Sequence, residues 1–271
     1  MTARKSRVAP VACAVLATLM TGGCAYFANL SYSQQSYSEL SFSSAGDLVL
    51  GGDATVGVTS SSNDFDVLRL VSSGSTDQLG TAYRATTVDA GTGFSTRFQF
   101  RIDGVTSGYG ADGFTFALQS IPFMGSSPTA GDGGEGLGYG GVAHSIAVKF
   151  DTYQNSDTHD PSHNYIGVAL AGDMDNSNYS NGQKTVATNF DNGSVWSVWI
   201  DYDGSMLSVY AVNSSSAGKP STPTLTYSFD AGSILGGVGA FVGFTAAGGS
   251  SWEETNILNW AFSNHYNPSG F

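Results

Sequence analysis

The sequence predicts an all-β fold in which two antiparallel sheets pack face to face. Three observations point there. Glycine accounts for 36 of the 271 residues, while aromatic and charged residues make up 12% each, a composition suited to short strands joined by tight turns. Phe94, Thr96, Phe98, Phe100 and Ile102 take every second position of one segment, the period of a half-buried strand. No long helical periodicity, internal repeat or linker interrupts the chain, and its length fits one large all-β domain.

Candidate strands follow in order at 37–42, 48–50, 54–58, 66–70, 81–84, 93–102, 113–118, 146–151, 165–169, 195–202, 207–211, 224–229, 240–245 and 255–262. They are separated by Gly, Asn or Asp, which favour turns. Asp203-Gly204 marks a hairpin between Trp196, Trp199 and Tyr202 on one side and Met206, Leu207 and Val209 on the other, because Asp-Gly tolerates the positive φ of a tight turn. So many short strands in one domain argue for two stacked sheets. The glycine-rich stretch 125–141 lies between two strands and reads as a long functional loop.

The first 25 residues read as a secretion leader. Arg4, Lys5 and Arg7 precede an apolar run, 11–20, and then Gly22 and Gly23. That run is too short to span a bilayer comfortably. Cleavage after Ala25 and lipid attachment at Cys24 are both open, giving a secreted or a surface-anchored protein. Residues 26–271 form one domain. Without the leader it holds 7 basic and 22 acidic residues, a formal charge of −15, which disfavours nucleic acid and anionic membrane surfaces. Both cysteines, Cys13 and Cys24, lie in the leader, so the domain carries no disulfide.

The stretch 146–167 holds the richest chemistry. It starts as a strand through Ile146, Val148 and Phe150, presents Asp151, Tyr153, Asn155 and Asp160 on a polar loop, and returns to a strand at Ile166. Two carboxylates, an amide oxygen and backbone carbonyls are hard oxygen donors that suit Ca²⁺ and suit Zn²⁺ poorly. A solvated Asp/Asn turn accounts for the same residues.

Four blocks in order together resemble the legume-lectin-like (L-type) lectins: the Ala-Asp-Gly strand at 111–118, the glycine loop at 134–141, the metal loop at 148–167, and the last loop and strand at 242–249 and 257–262. The resemblance runs from about Phe42 to Asn264. It implies a jelly-roll sandwich that binds sugars in a shallow depression, does not catalyse, and often pairs as a homodimer. It implies a cis Ala111–Asp112 bond, with Asp112 accepting from two sugar hydroxyls. Gly134 and the Glu135 backbone N–H would contact the sugar, as would Tyr153, Asn155, and Ala247, Gly248 and Ser250 of the last loop. Asp151, the Tyr153 carbonyl, Asn155 and Asp160 would hold Ca²⁺.

The departures are specific. Plant members of the family bind a second, transition metal through a Glu and a His, where this chain has Lys149 and Tyr165. That site is expected to be lost, with Lys149 standing in as a fixed positive charge paired with Asp151 and Asp160. His159 and His163 are nearby alternatives as ligands, or simply solvated. Glu135 replaces the family's sugar-binding glycine, and Trp252 enters the specificity loop. The leading expectation is therefore a Ca²⁺-dependent lectin for glycans. A structural or adhesive domain that has lost sugar binding is the first alternative. A jelly-roll glycoside hydrolase is the second, and it needs two carboxyls about 5–9.5 Å apart, whereas Glu135, Glu253 and Glu254 fall on separate loops.

Overall fold

A computed structural model describes residues 35–39, 41–59, 65–105, 108–120, 127–237 and 239–271; the expected leader lies outside them. In chain order the strands are β1 (Ser36–Glu39), β2 (Leu48–Gly52), β3 (Thr55–Thr59), β4 (Asp66–Val71), β5 (Leu79–Arg84), β6 (Phe94–Asp103), β7 (Gly113–Ser120), β8 (Ser145–Asp151), β9 (Tyr165–Leu170), β10 (Gln183–Thr185), β11 (Trp196–Tyr202), β12 (Met206–Val212), β13 (Leu225–Ser228), β14 (Ala240–Ala247) and β15 (Glu254–Ser263). They form two antiparallel sheets in a jelly-roll sandwich. The back sheet runs β13-β12-β11-β6-β15-β4-β3, with β1 also on β15, and the front sheet runs β10-β9-β8-β7-β14-β5-β2.

Two elements carry no sequence signal. Strand β10 is three polar residues on the front-sheet edge, held to β9 by backbone pairing. Helix α1 (Ala231–Leu235) is too short to show a period; Asp230 caps it by accepting from Ser233 N at 2.9 Å, and Gly236 ends it at φ +73°. Within the expected strand 37–42, Tyr37, Ser38 and Glu39 pair with β15, while Phe42 is buried in the core.

The period-2 alternation builds the core. Phe98 of the back sheet meets Phe244, Phe150 and Phe116 of the front sheet at ring-centroid distances of 5.1, 5.8 and 6.1 Å. Aromatic pairs at such spacing add to area burial. At Trp260 the polar end is satisfied inside, Nε1 donating to Thr96 Oγ1 at 3.0 Å.

The other face of the front sheet carries small residues, Ala117, Ala147 and Ala169, which make room for the glycine loop. Leu137 and Tyr139 of that loop are fully buried against them with Tyr83, Met174 and Phe241. Tyr139 Oη donates to Ala169 O and accepts from Ser145 Oγ, while Thr245 Oγ1 donates to Leu137 O. The loop is thus a packed lid over the front sheet.

Glu253, one residue before β15, is 1% exposed and accepts from Thr152 Oγ1 at 2.8 Å and Thr255 Oγ1 at 3.2 Å. It ties the start of β15 to the loop after β8. Burial, which the two hydroxyls only partly offset, pushes its carboxyl up to about 8. An acid raised in the folded state holds a proton that the unfolded chain releases, so folding is penalised increasingly as pH rises from about 4.5 to about 8. Glu253→Gln removes that penalty. Denaturant unfolding should show the variant gaining on the wild type across this window, by on the order of 1–4 kcal/mol at pH 8–9. A stability difference independent of pH would refute the buried, protonated carboxyl.

Candidate functional site

Several loops meet at one end of the front sheet, and backbone hydrogen bonds stitch them together. Asp112 N donates to Ala247 O at 2.9 Å, Thr152 N to Asp112 O at 3.1 Å, and Gly248 N to Gln78 O at 2.9 Å. The Ala111–Asp112 peptide bond is cis, as the resemblance implied. Gly113 follows at φ +121°, and a Cβ there would lie 2.3 Å from the Phe150 carbonyl oxygen. Only glycine lets β7 approach β8 this closely directly after Asp112.

These segments enclose an open depression of about 300 Å³ lined by Ala111, Asp112, Gly133, Gly134, Glu135, Tyr153, Asn155, Gly249, Ser250 and Ser251. Six of the residues expected at a sugar site are brought together here: Asp112, Gly134, Glu135, Tyr153, Asn155 and Ser250. The other two, Ala247 and Gly248, do not line it. Ala247 is fully buried and Gly248 is spent on the Gln78 contact, so both support the floor. Ala111, Gly133, Gly249 and Ser251 line the depression without having been anticipated, because their contribution is backbone position.

Asp112 is 5% exposed, whereas the Tyr153 ring is 41% exposed. The depression therefore sets a nearly buried carboxylate beside a free aromatic face. Burial, then the charges of Glu135 and Asp160, push the Asp112 carboxyl up to about 6, against a hydrogen bond from the Gly249 backbone. The Glu135 side chain is exposed on the rim.

Beneath this lies the 151–160 loop. Asp151 and Asp160 are 2% and 8% exposed. Tyr165 Oη donates toward Asp151 Oδ2 at 3.1 Å and Asp160 Oδ1 at 2.6 Å, Asn155 N donates to Asp160 Oδ2 at 2.7 Å, and Tyr153 N to Asp151 Oδ1 at 3.1 Å. Burial and the neighbouring Asp160 charge raise the Asp151 carboxyl well above its ordinary range. Asn155 Oδ1 is buried and accepts no hydrogen bond. Among the described residues no three or more His, Cys, Asp or Glu side chains converge as a metal cluster; this loop offers two carboxylates, with amide and backbone oxygens as its remaining donors.

Lys149 is fully buried. Its hydrogen bonds go to the Met174 carbonyl and to Asn176 Oδ1, both at 3.1 Å. Asn176 Nδ2 passes the connection on to Asp160 Oδ1 at 2.8 Å and Tyr165 Oη at 3.0 Å. The expected pairing of Lys149 with Asp151 and Asp160 is not a direct one: its link to Asp160 runs through an amide relay, and Asp151 acts on it only as a nearby charge, with burial lowering the ammonium's pKa and four nearby aspartates opposing that shift. Asn176 was not anticipated, since it follows Tyr165 by 11 residues in a different turn. His159 Nδ1 lies 2.9 Å from Asp175 Oδ1, and His163 packs against Tyr109. Trp252 is half-buried and does not line the depression.

Comparison with known proteins agrees with this architecture. The family model for the legume lectin domain matches residues 32–270. The chain is 32% identical over 179 residues to the probable L-type lectin-domain containing receptor kinase I.5 of Arabidopsis thaliana, covering 63% of this chain and 26% of that protein. It is 33% identical over 186 residues to the L-type lectin-domain containing receptor kinase IV.2 of the same plant, covering 62% and 26%. The chain thus spans about a quarter of the length of these relatives. Among solved structures, basic winged bean lectin with Tn-antigen shares 26% identity at a TM-score of 0.68, covering 85% of this chain and 98% of that one. Peanut lectin with a 9mer peptide, at 24% identity and a TM-score of 0.68 over 85% and 97%, shows the shared fold. The chain belongs to the legume lectin domain family.

Proposed function

We propose that this domain is a non-catalytic, Ca²⁺-dependent lectin whose sugar site is the depression around Asp112. The observation that carries the reading is the pairing of a nearly buried carboxylate with an exposed Tyr153 ring in one depression. A sugar ring presents hydroxyls that need strong acceptors and C–H faces that pack on an aromatic ring. Asp112 accepts from the hydroxyls, Tyr153 receives the C–H face, and Asn155 together with the backbone at Gly134, Glu135 and Ser250 completes the polar rim. Basic winged bean lectin was solved with Tn-antigen, a likeness that supports a glycan ligand.

The donor set fits Ca²⁺. Asp151 and Asp160 are buried near each other and Asn155 Oδ1 lacks a donor, an electron-rich group of hard oxygens that a dication stabilises. Asp151, the Tyr153 carbonyl, Asn155 and Asp160 would hold the ion. Bound there, it supplies charge compensation and rigidity. The chain's own residues do the rest: Asn155 is then fixed to offer its amide upward, and Tyr153 is fixed beside it, so less freedom is lost on binding. Lys149 and Tyr165 stand where plant members of the family use a Glu and a His for a second metal, and on this reading that site is lost. The leader supports export, with secretion after Ala25 or anchoring at Cys24. The formal charge of −15 argues against a nucleic-acid partner.

Three outcomes are expected. On a glycan array with Ca²⁺ the protein binds a defined sugar class, and chelation abolishes the signal; silence in both conditions favours a structural role. Asp112→Asn weakens that binding about ten- to a hundredfold by calorimetry, as loss of a charged acceptor does, with the thermal midpoint little changed. Metal analysis of the purified protein finds one Ca²⁺ per chain, and two tightly bound ions would contradict the Lys149 substitution.

A further inference from the structure

We infer that the sugar taken by the Asp112 depression carries a protonated amine: a free amino sugar, preferred over its neutral and N-acetylated counterparts and over uronic acids. This rests on the lectin reading of the depression and names the class of its ligand.

The depression gathers negative charge without a cation of its own. Asp112 is 5% exposed, and its Oδ2 is flanked by two glycines: a Cβ on Gly249 would lie 3.5 Å from that oxygen, and one on Gly134 3.9 Å. Glu135, next to Gly134, lines the same depression with its side chain exposed. Its charge is felt at Asp112, where it follows burial among the causes that raise the carboxyl. None of the described residues that line the depression is basic, so the domain's 7 basic residues all lie outside that lining. On the lectin reading the bound ion balances Asp151 and Asp160. The charges of Asp112 and Glu135 are then left for the ligand.

Elsewhere the chain shows what a tyrosine face and a carboxylate hold together. The Arg84 guanidinium lies 4.2 Å from the Tyr37 ring centroid while it pairs with Asp47. The Lys219 ammonium lies 4.6 Å from the Tyr210 centroid while it pairs with Asp201. In both places a cation fills the space between the two groups. The depression repeats the combination with a Tyr153 ring that is 41% exposed and the carboxylates of Asp112 and Glu135. An ammonium group on a sugar gains from the aromatic face and from both carboxylates. A neutral sugar uses only the ring face and the hydrogen bonds. A uronic acid brings a third negative charge and is repelled, and N-acetylation removes the charge that the site selects.

Calorimetry on the full chain at pH 7 in Ca²⁺ tests this. The probes are the methyl glycosides of glucose, galactose and mannose, their 2-amino and 6-amino deoxy forms, the N-acetylated forms of these, and the corresponding uronic acids. For the parent sugar that binds best, an amino form should bind about three- to tenfold more tightly, as one cation–π contact with one exposed ion pair contributes. The N-acetylated form and the uronic acid should show no such gain. Raising the salt from about 0.1 M to about 1 M shortens the Debye length from about 10 Å to about 3 Å, and should at least halve the preference. That arm uses the wild type and needs no variant to fold. Glu135→Gln should lower the preference to about twofold or less, read as the ratio of the two Kd values within the variant. Parent binding with no gain from an amine, or an equal gain on N-acetylation, overturns the inference and leaves the lectin reading standing. So does a preference that either high salt or Glu135→Gln leaves undiminished. No saccharide binding to the wild type overturns both.

Discussion

Asp151 and Asp160 are carboxylates withdrawn from water within one loop, and the Asp160 charge adds to the cost of ionising Asp151. Burying charge is unfavourable unless it is paired or hydrogen-bonded. Much of the site can be understood as the answer to that constraint. Tyr165 Oη sits against both carboxylates, and backbone amides of the loop point inward at them. Lys149 brings its amino group to the neighbourhood, joined by hydrogen bonds to Asp160 through Asn176. What these groups do not answer is Asn155 Oδ1, a buried acceptor with no donor. In the proposed function, a hard dication would satisfy all three oxygen groups at once.

The sandwich supplies the rigidity this arrangement needs. Phe98, Phe116, Phe150 and Phe244 lock the two sheets near the level where β7 begins and β8 ends. Glycine does the close work: Gly113 passes the Phe150 carbonyl where no side chain fits, and Gly110 makes room for Glu253. Alanines on the other face of the front sheet let the glycine loop pack down, so that Gly134 and Glu135 arrive at the rim of the depression.

Strand positions were legible because burial imposes a period of two and turns demand particular residues. The alternation from Phe94 to Ile102 and the Asp203-Gly204 turn needed no tertiary information. Strand β10 was invisible because an edge strand of Gln, Lys and Thr is held by backbone pairing, which leaves no mark on side-chain pattern. Helix α1 was invisible because one turn shows no period. At the site, Asn155, Asp151 and Asp160 could be picked out because charged and amide side chains in a turn advertise their chemistry, whereas Asp112 was reached only through the resemblance to the L-type lectins. Gly249 and Ser251 could not, since they act through backbone placement.

The sequence by itself determined an acidic all-β sandwich and the oxygen-rich loop that its polar residues create, because composition and local spacing dictate both. Tertiary structure alone decided which residues of the last loop reach the depression and which merely support it. It alone showed that Lys149 acts through Asn176, and that Glu253 joins Thr152 to the segment beside Gly110. The Lys149–Asn176 and Thr152–Glu253 hydrogen bonds connect residues 27 and 101 positions apart. They depend on two sheets packing in register, a property that short-range spacing does not encode.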